Sequence, residues 1–238
     1  MAINYRTATR LSLAVMIALF SGSSILQAAG SASSANDRLV LVGEEDETSP
    51  AYSRLWREKL LVTQGDVARF VSLPGTFGQE TAVSVYRAAG KQGSLAGGYW
   101  VTVTRASQTL WEHFGRPAAI PRPADLRTIK IERADAPLPE STALAMRKLW
   151  LTMLKRAWPE PKTSGFSIDS SKEFFSAVDS RGKTIVARLP QRFTKNSRAI
   201  VRVVLSLMIY SELPASRRPS QARIIERKAH RLLLQFTQ

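Results

Sequence analysis

Three stretches decide the fold class: Val67-Ala68-Arg69-Phe70-Val71-Ser72-Leu73, Thr81-Ala82-Val83-Ser84-Val85-Tyr86-Arg87 and Tyr99-Trp100-Val101-Thr102-Val103-Thr104. Each is rich in β-branched and aromatic residues, and each is bounded by turn-forming residues: Gln64-Gly65-Asp66, Pro74-Gly75-Thr76-Phe77-Gly78 and the Gly-rich run Gly90 to Gly98. Such segments fit a pleated, half-buried surface, and the short spacers between them favour antiparallel neighbours. The reading is an antiparallel meander over residues 58–104, with Lys59-Leu60-Leu61-Val62-Thr63 as a further strand before it. Upstream, Leu39-Val40-Leu41-Val42 is a short β-type run followed by the acidic loop Glu44-Glu45-Asp46-Glu47. That loop lacks the alternating ligands and central Gly of a calcium loop, so it reads as solvated.

Downstream, Ala106 to His113 reads as a short helix, Arg116 to Pro123 as a connector and Leu126 to Arg133 as one more strand. Pro139 suits the first turn of a helix to about Trp158, because its missing N–H would have no partner there. Met146, Leu149, Met153 and Ala157 recur at helical spacing and make its core stripe, and Trp158-Pro159-Glu160-Pro161 stops it. Phe166 to Val178 and Thr184 to Leu189 form a hairpin turning at Asp179-Ser180-Arg181-Gly182. Ser197 is read as the N-cap of an apolar helix to Leu213, with Arg198, Arg202 and Ser206 as a narrow polar stripe. The chain ends in a basic amphipathic helix, about Ser220 to Phe236. The sum is an α+β fold: an antiparallel sheet of about five to seven strands with three or more packed helices, after an N-terminal signal peptide. Residues 36–238 read as a single α+β domain with a candidate subdivision near 134–138.

The order Trp150 in a helix, Phe174-Phe175 in a strand, Gly182 in a turn, Leu189-Pro190, then Leu205 to Tyr210 in a helix resembles a pattern in exported proteobacterial proteins of unknown function. The upstream Leu73-Pro74-Gly75-Thr76-Phe77 with Val83 and Tyr86 is similar to what accompanies that pattern, so the resemblance covers residues 66 to 213. It implies export and the fold, and it transfers no activity.

The address is read from residues 1–35. Arg6 and Arg10 form a positive segment, Leu11 to Phe20 an apolar run, and Ala28, Gly30, Ala32 and Ala35 offer small residues for cleavage. That order is a signal peptide. Ser21, Gly22, Ser23, Ser24 and Gln27 interrupt the apolar run well short of the ~20 residues a spanning helix needs. Ala199 to Tyr210 carries Arg202 and is also too short, so no transmembrane span is expected in the mature chain. The protein is therefore expected in the periplasm or outside the cell, and its lack of cysteine excludes a disulfide framework, thiolate metal sites and a cysteine nucleophile.

No catalytic constellation, metal site or cofactor site emerges. Ala177 to Thr184 fits a relaxed phosphate-binding loop, but Ile185-Val186-Ala187-Arg188-Leu189-Pro190 continues as a strand where that motif requires a helix. Gly90 to Gly98 lacks the dinucleotide spacing. His113 and His230 lie far apart in the chain, without a Gly-x-Ser-x-Gly elbow or a zinc-binding His pair. Glu80, Asp169, Glu173 and Asp179 lie on or beside strands and would be the acids of an envelope hydrolase, if two of them converge.

Charge is the remaining signal. The chain carries 34 Lys and Arg against 19 Asp and Glu, a net +15. From Arg181 onward there are 13 basic residues against only Glu212 and Glu226, a net +11, whereas residues 36–180 carry +2. A surface so basic attracts polyanions. The candidate polyanion-binding residues are Arg217, Arg218, Arg223, Arg227, Lys228 and Arg231, with Ile224, Ile225, Leu232, Leu233 and Leu234 as apolar contacts if the helix lies on a membrane. The partners expected are an anionic envelope polymer, an acidic membrane surface or an acidic protein. Nucleic acid is not expected, because no stacking aromatics interleave the terminal arginines. The function read from the sequence is an exported, non-catalytic binding or interaction protein; the alternatives are the envelope hydrolase and a periplasmic inhibitor or immunity-type protein. The oligomeric state is left open.

Overall fold

Strand periodicity places alternate side chains on opposite faces, and in this protein both faces are covered, at opposite ends. The computed structural model describes residues 39–41, 50–61, 66–74, 78–88, 97–110, 129–157, 171–189 and 195–237. Its strands are β1 (Val40–Leu41), β2 (Ala68–Leu73), β3 (Thr81–Arg87), β4 (Tyr99–Ala106), β5 (Ile131–Leu138), β6 (Lys172–Val178) and β7 (Thr184–Arg188). They form one antiparallel sheet in the order β1-β7-β6-β2-β3-β4-β5. The helices are α1 (Pro50–Leu60), α2 (Glu140–Lys155), α3 (Lys195–Glu212) and α4 (Arg218–Thr237). The α+β architecture is that expected, and the meander is β2 to β5, with β6 inserted beside β2.

Several boundaries differ from the sequence reading. Lys59-Leu60 ends α1 rather than opening a strand: Tyr52, Leu55, Trp56 and Leu60 are all buried, a helical stripe that starts just after Pro50. The strand expected at Leu126 to Arg133 lies at Ile131–Leu138 instead. Ala106 closes β4 and Ser107 to Leu110 are not helical; the rest of that expected helix lies outside the described residues. Ser197 is inside α3, which begins at Lys195, so it does not cap it. The signal peptide, the acidic loop, most of the Gly-rich loop, Asp169 and His113 also lie outside the described residues.

On one face, Ala68, Phe70, Val83, Val85, Val101, Val103, Ala136, Phe175 and Ala177 meet α2, α3 and α4 in one buried cluster. Trp150 of α2 anchors it: its ring lies 5.4 Å from Phe175, which lies 5.1 Å from Phe70, and its Nε1 donates to the Arg69 carbonyl at 2.9 Å. On the other face, α1 covers Val71, Leu73, Ala82 and Ala106. The two coverings are diagonally offset along the strands, which leaves one row of polar residues on each face.

Register defines both rows. On the α1 face, Ser176, Arg69, Ser84, Thr102 and Asp135 stand side by side on β6, β2, β3, β4 and β5. On the face of α2, α3 and α4, toward the other end of the strands, Glu173, Ser72, Thr81, Arg105 and Glu132 do the same. At the sheet edge, the Tyr210 hydroxyl of α3 donates to the Pro137 carbonyl at 2.7 Å.

Candidate functional site

Helix α4 is basic on one side because its apolar residues are spent on the other. Ala222, Ile225, Ala229, Leu232, Leu233 and Phe236 are buried against α2 and α3. At 100° per residue these positions fill about one third of the helix circumference. Arg223, Arg227 and Arg231 fall opposite them, all exposed and about 6 Å apart along the axis. Leu234, at 52% exposure, continues the same stripe.

The acid of α4 is turned away from this stripe. Glu226 accepts from the Ser141 and Thr142 hydroxyls of α2 at 2.7 and 2.6 Å, so its carboxylate is committed to the helix interface. The neutralising charge therefore sits between helices, while the arginines face solvent.

A second helix extends the basic face. Arg198 and Arg202 are exposed on α3, one turn apart. Lys228 crosses from α4 and donates to Ser206 Oγ at 2.8 Å, while Ser206 donates to the Arg202 carbonyl at 2.8 Å and Gln221 donates to the Ser206 carbonyl at 3.2 Å. Partial burial, and secondarily the charge of Arg202, hold the Lys228 ammonium below its ordinary pKa.

The six candidates are thus not equivalent. Arg223, Arg227 and Arg231 form the stripe; Arg217 is exposed in a single 3-10 turn, Ala215–Arg217. Arg218 is half-buried and donates to the Leu213 carbonyl at 3.0 Å, closing the α3–α4 connection. Lys228 belongs to the junction with α3. In the sequence Arg198 and Arg202 mark only a polar stripe; their membership in the face depends on the antiparallel docking of α3 and α4. Of the apolar residues expected at a membrane, Ile225, Leu232 and Leu233 are buried in the core, Ile224 is half-buried and Leu234 is exposed.

Among the described residues, the candidate carboxylates do not gather. Glu80 is fully buried on the α1 side, where it accepts from the Tyr52 hydroxyl at 2.9 Å, the Thr109 hydroxyl at 3.3 Å and the Leu110 N–H at 2.7 Å. Burial, and then the Glu80 charge, push the Tyr52 phenol far upward. Glu173 is on the opposite face, 5% exposed, and burial raises its pKa. The sheet separates these two acids, so they cannot flank one bond. Asp179 is at the β6–β7 turn, where its Oδ1 accepts from the Lys183 and Arg181 N–H groups at 2.9 and 2.8 Å, which hold its carboxyl low.

That turn also resolves the phosphate-loop match. Gly182 has φ +77°, Thr184–Arg188 is a strand, and two of the amides a phosphate would need are taken by Asp179. His230 is exposed on α4. Among the described residues no helix is long and apolar enough to cross a membrane, and no three potential metal ligands assemble. Compared with protein-family models, with curated proteins and with solved structures, the chain matches none.

Proposed function

We propose that this protein is an exported, non-catalytic binding protein that adsorbs to an anionic envelope surface through the basic face of α3 and α4. One observation carries the reading: α4 buries its apolar arc and commits Glu226 to α2, so Arg223, Arg227 and Arg231 point outward without a neighbouring acid on their helix face. Because Ile225, Leu232 and Leu233 are core residues, contact is electrostatic rather than insertive. The order of charged, apolar and small residues in 1–35 supports export.

Since α4 is part of the core, removing it would unfold the chain; the informative change is charge reversal. The triple variant Arg223→Glu, Arg227→Glu, Arg231→Glu is expected to keep its thermal midpoint and lose at least tenfold in affinity for phosphatidylglycerol vesicles. Wild-type binding should fall steeply between about 50 and 200 mM salt, each released contact contributing to the slope. Undiminished binding by the triple variant would sink the proposal.

A further inference from the structure

Arg105 carries a buried donor that the described structure leaves unanswered. It is 8% exposed, and its Nε has no hydrogen-bond partner. Among the described residues it forms no ion pair, although Glu132 stands beside it in register on β5. A guanidinium cannot discharge by losing its proton, and a buried N–H donor without an acceptor is unfavourable.

The neighbours narrow what could answer it. Thr81, 1% exposed, flanks Arg105 on β3 and spends its proton on the Gln79 carbonyl at 3.2 Å, so its lone pairs remain. Ser72 and Glu173 continue the row, and Glu173 lies three strands from Arg105, about 14 Å at ordinary strand spacing. The adjoining row on the same face, Phe175, Phe70, Val83, Val103 and Ala134, is apolar.

We propose that Arg105 is the anchoring residue of a ligand site on the α2–α4 face of the sheet, and that its ligand presents a carboxylate. A single guanidinium flanked by Glu132 matches a monoanion, whereas a phosphate dianion would meet the acid's repulsion; the fork of N–H donors pairs a carboxylate with two parallel hydrogen bonds. This site is independent of the basic face of α3 and α4.

The test is a titration of the purified protein with sodium propionate, with a tetrapeptide bearing a free C-terminal carboxylate, with the same peptide as its C-terminal amide, and with phosphate and chloride at matched ionic strength. Either carboxylate probe is expected to raise the thermal midpoint saturably, by roughly 5–10 °C at a hundredfold excess over Kd, and to move the Arg105 Nε–H resonance. Propionate acting alone assigns a small organic acid; the peptide acid acting more tightly, with the amide silent, assigns a peptide C-terminus. Arg105→Met should fold at least as stably as wild type in carboxylate-free buffer and lose the response, and Arg105→Lys should bind at least tenfold more weakly. The proposal is overturned if neither carboxylate exceeds chloride and the Nε–H resonance stays still, if only phosphate acts, or if Arg105→Met responds like wild type. The resonance is read on wild-type protein, so its outcome does not depend on either variant folding.

Discussion

The two polar rows of the sheet have the same construction and opposite outcomes. Each crosses β6, β2, β3, β4 and β5, and each contains one arginine, hydroxyl residues and at least one acid. In the row on the α1 face, Arg69 pairs with Asp66 and donates to Ser84 at 3.3 Å, Ser84 donates to Asp66 at 3.0 Å, Thr102 donates to Asp135, and Arg133 donates to Asp135 at 2.7 Å. On the other face Arg105 is left with Nε unpartnered. The difference comes from outside the rows. Asp66 precedes β2 and Arg133 belongs to the next row, so the first network is completed by residues that register alone would not supply. A closed network of this kind fixes structure, whereas an open one is available to a ligand.

Three changes would break or sharpen that contrast. The largest effect is expected from Glu80→Ala, beneath α1, which leaves the Tyr52 hydroxyl and Leu110 N–H without their buried acceptor; denaturant unfolding should show a loss of about 4 kcal/mol. A reduction under about 1 kcal/mol, the typical effect of a point substitution, would mean that α1 is held by packing alone. Next, Asp66→Asn opens the closed row by removing the carboxylate charge that faces half-buried Arg69, at a cost of about 3 kcal/mol by the same measurement. Stability within about 0.5 kcal/mol of wild type, on the order of a surface substitution, would show that the two rows are energetically alike.

The smallest effect concerns Glu173. Its folded pKa is raised, so the folded state holds the proton more tightly than the unfolded chain does. The stability this contributes is fully present below the ordinary Glu pKa and is lost as pH rises through the raised value. Glu173→Gln should therefore gain stability relative to wild type on going from acidic to neutral pH. Equal pH slopes for the two proteins would mean that Glu173 ionises alike in the folded and unfolded chains.

Much of this architecture can be read along the chain because it is local. Alternation in Thr81–Arg87 and the turn at Asp179 to Gly182 require no distant partner, and the spacing of Ile225, Ala229, Leu232 and Phe236 identifies the buried side of α4. Two elements are hidden by their composition. The helical stripe of α1 runs into Leu61-Val62-Thr63, whose β-branched character suggests a strand, and β5 contains Glu132, Arg133, Asp135 and Pro137 where a strand usually carries β-branched residues. The rows themselves are non-local: Glu173 stands beside Ser72 only because β6 inserts next to β2, a pairing of residues about a hundred positions apart. Arg105 thus reads as an ordinary charged residue until the strands around it are assembled. The basic face is half legible, since the charge excess marks α4 whereas Arg198 and Arg202 join it through docking.

Pro137 gives the sheet a boundary. Among the described residues β5 is the last strand, and in its ladder with β4, where the Ser107 N–H donates to the Lys130 carbonyl, the residue opposite Trp100 directs its backbone groups away from that partner. At Pro137 the outward nitrogen carries no hydrogen, and the outward carbonyl is already occupied by Tyr210. Glu132, Arg133 and Asp135 add charge along the same border. At the opposite border, β1 contributes only two residues. A foreign strand approaching the β5 side would meet a missing donor, an occupied acceptor and charged side chains, so a molecule rich in antiparallel strands carries its own protection against polymerising edge to edge.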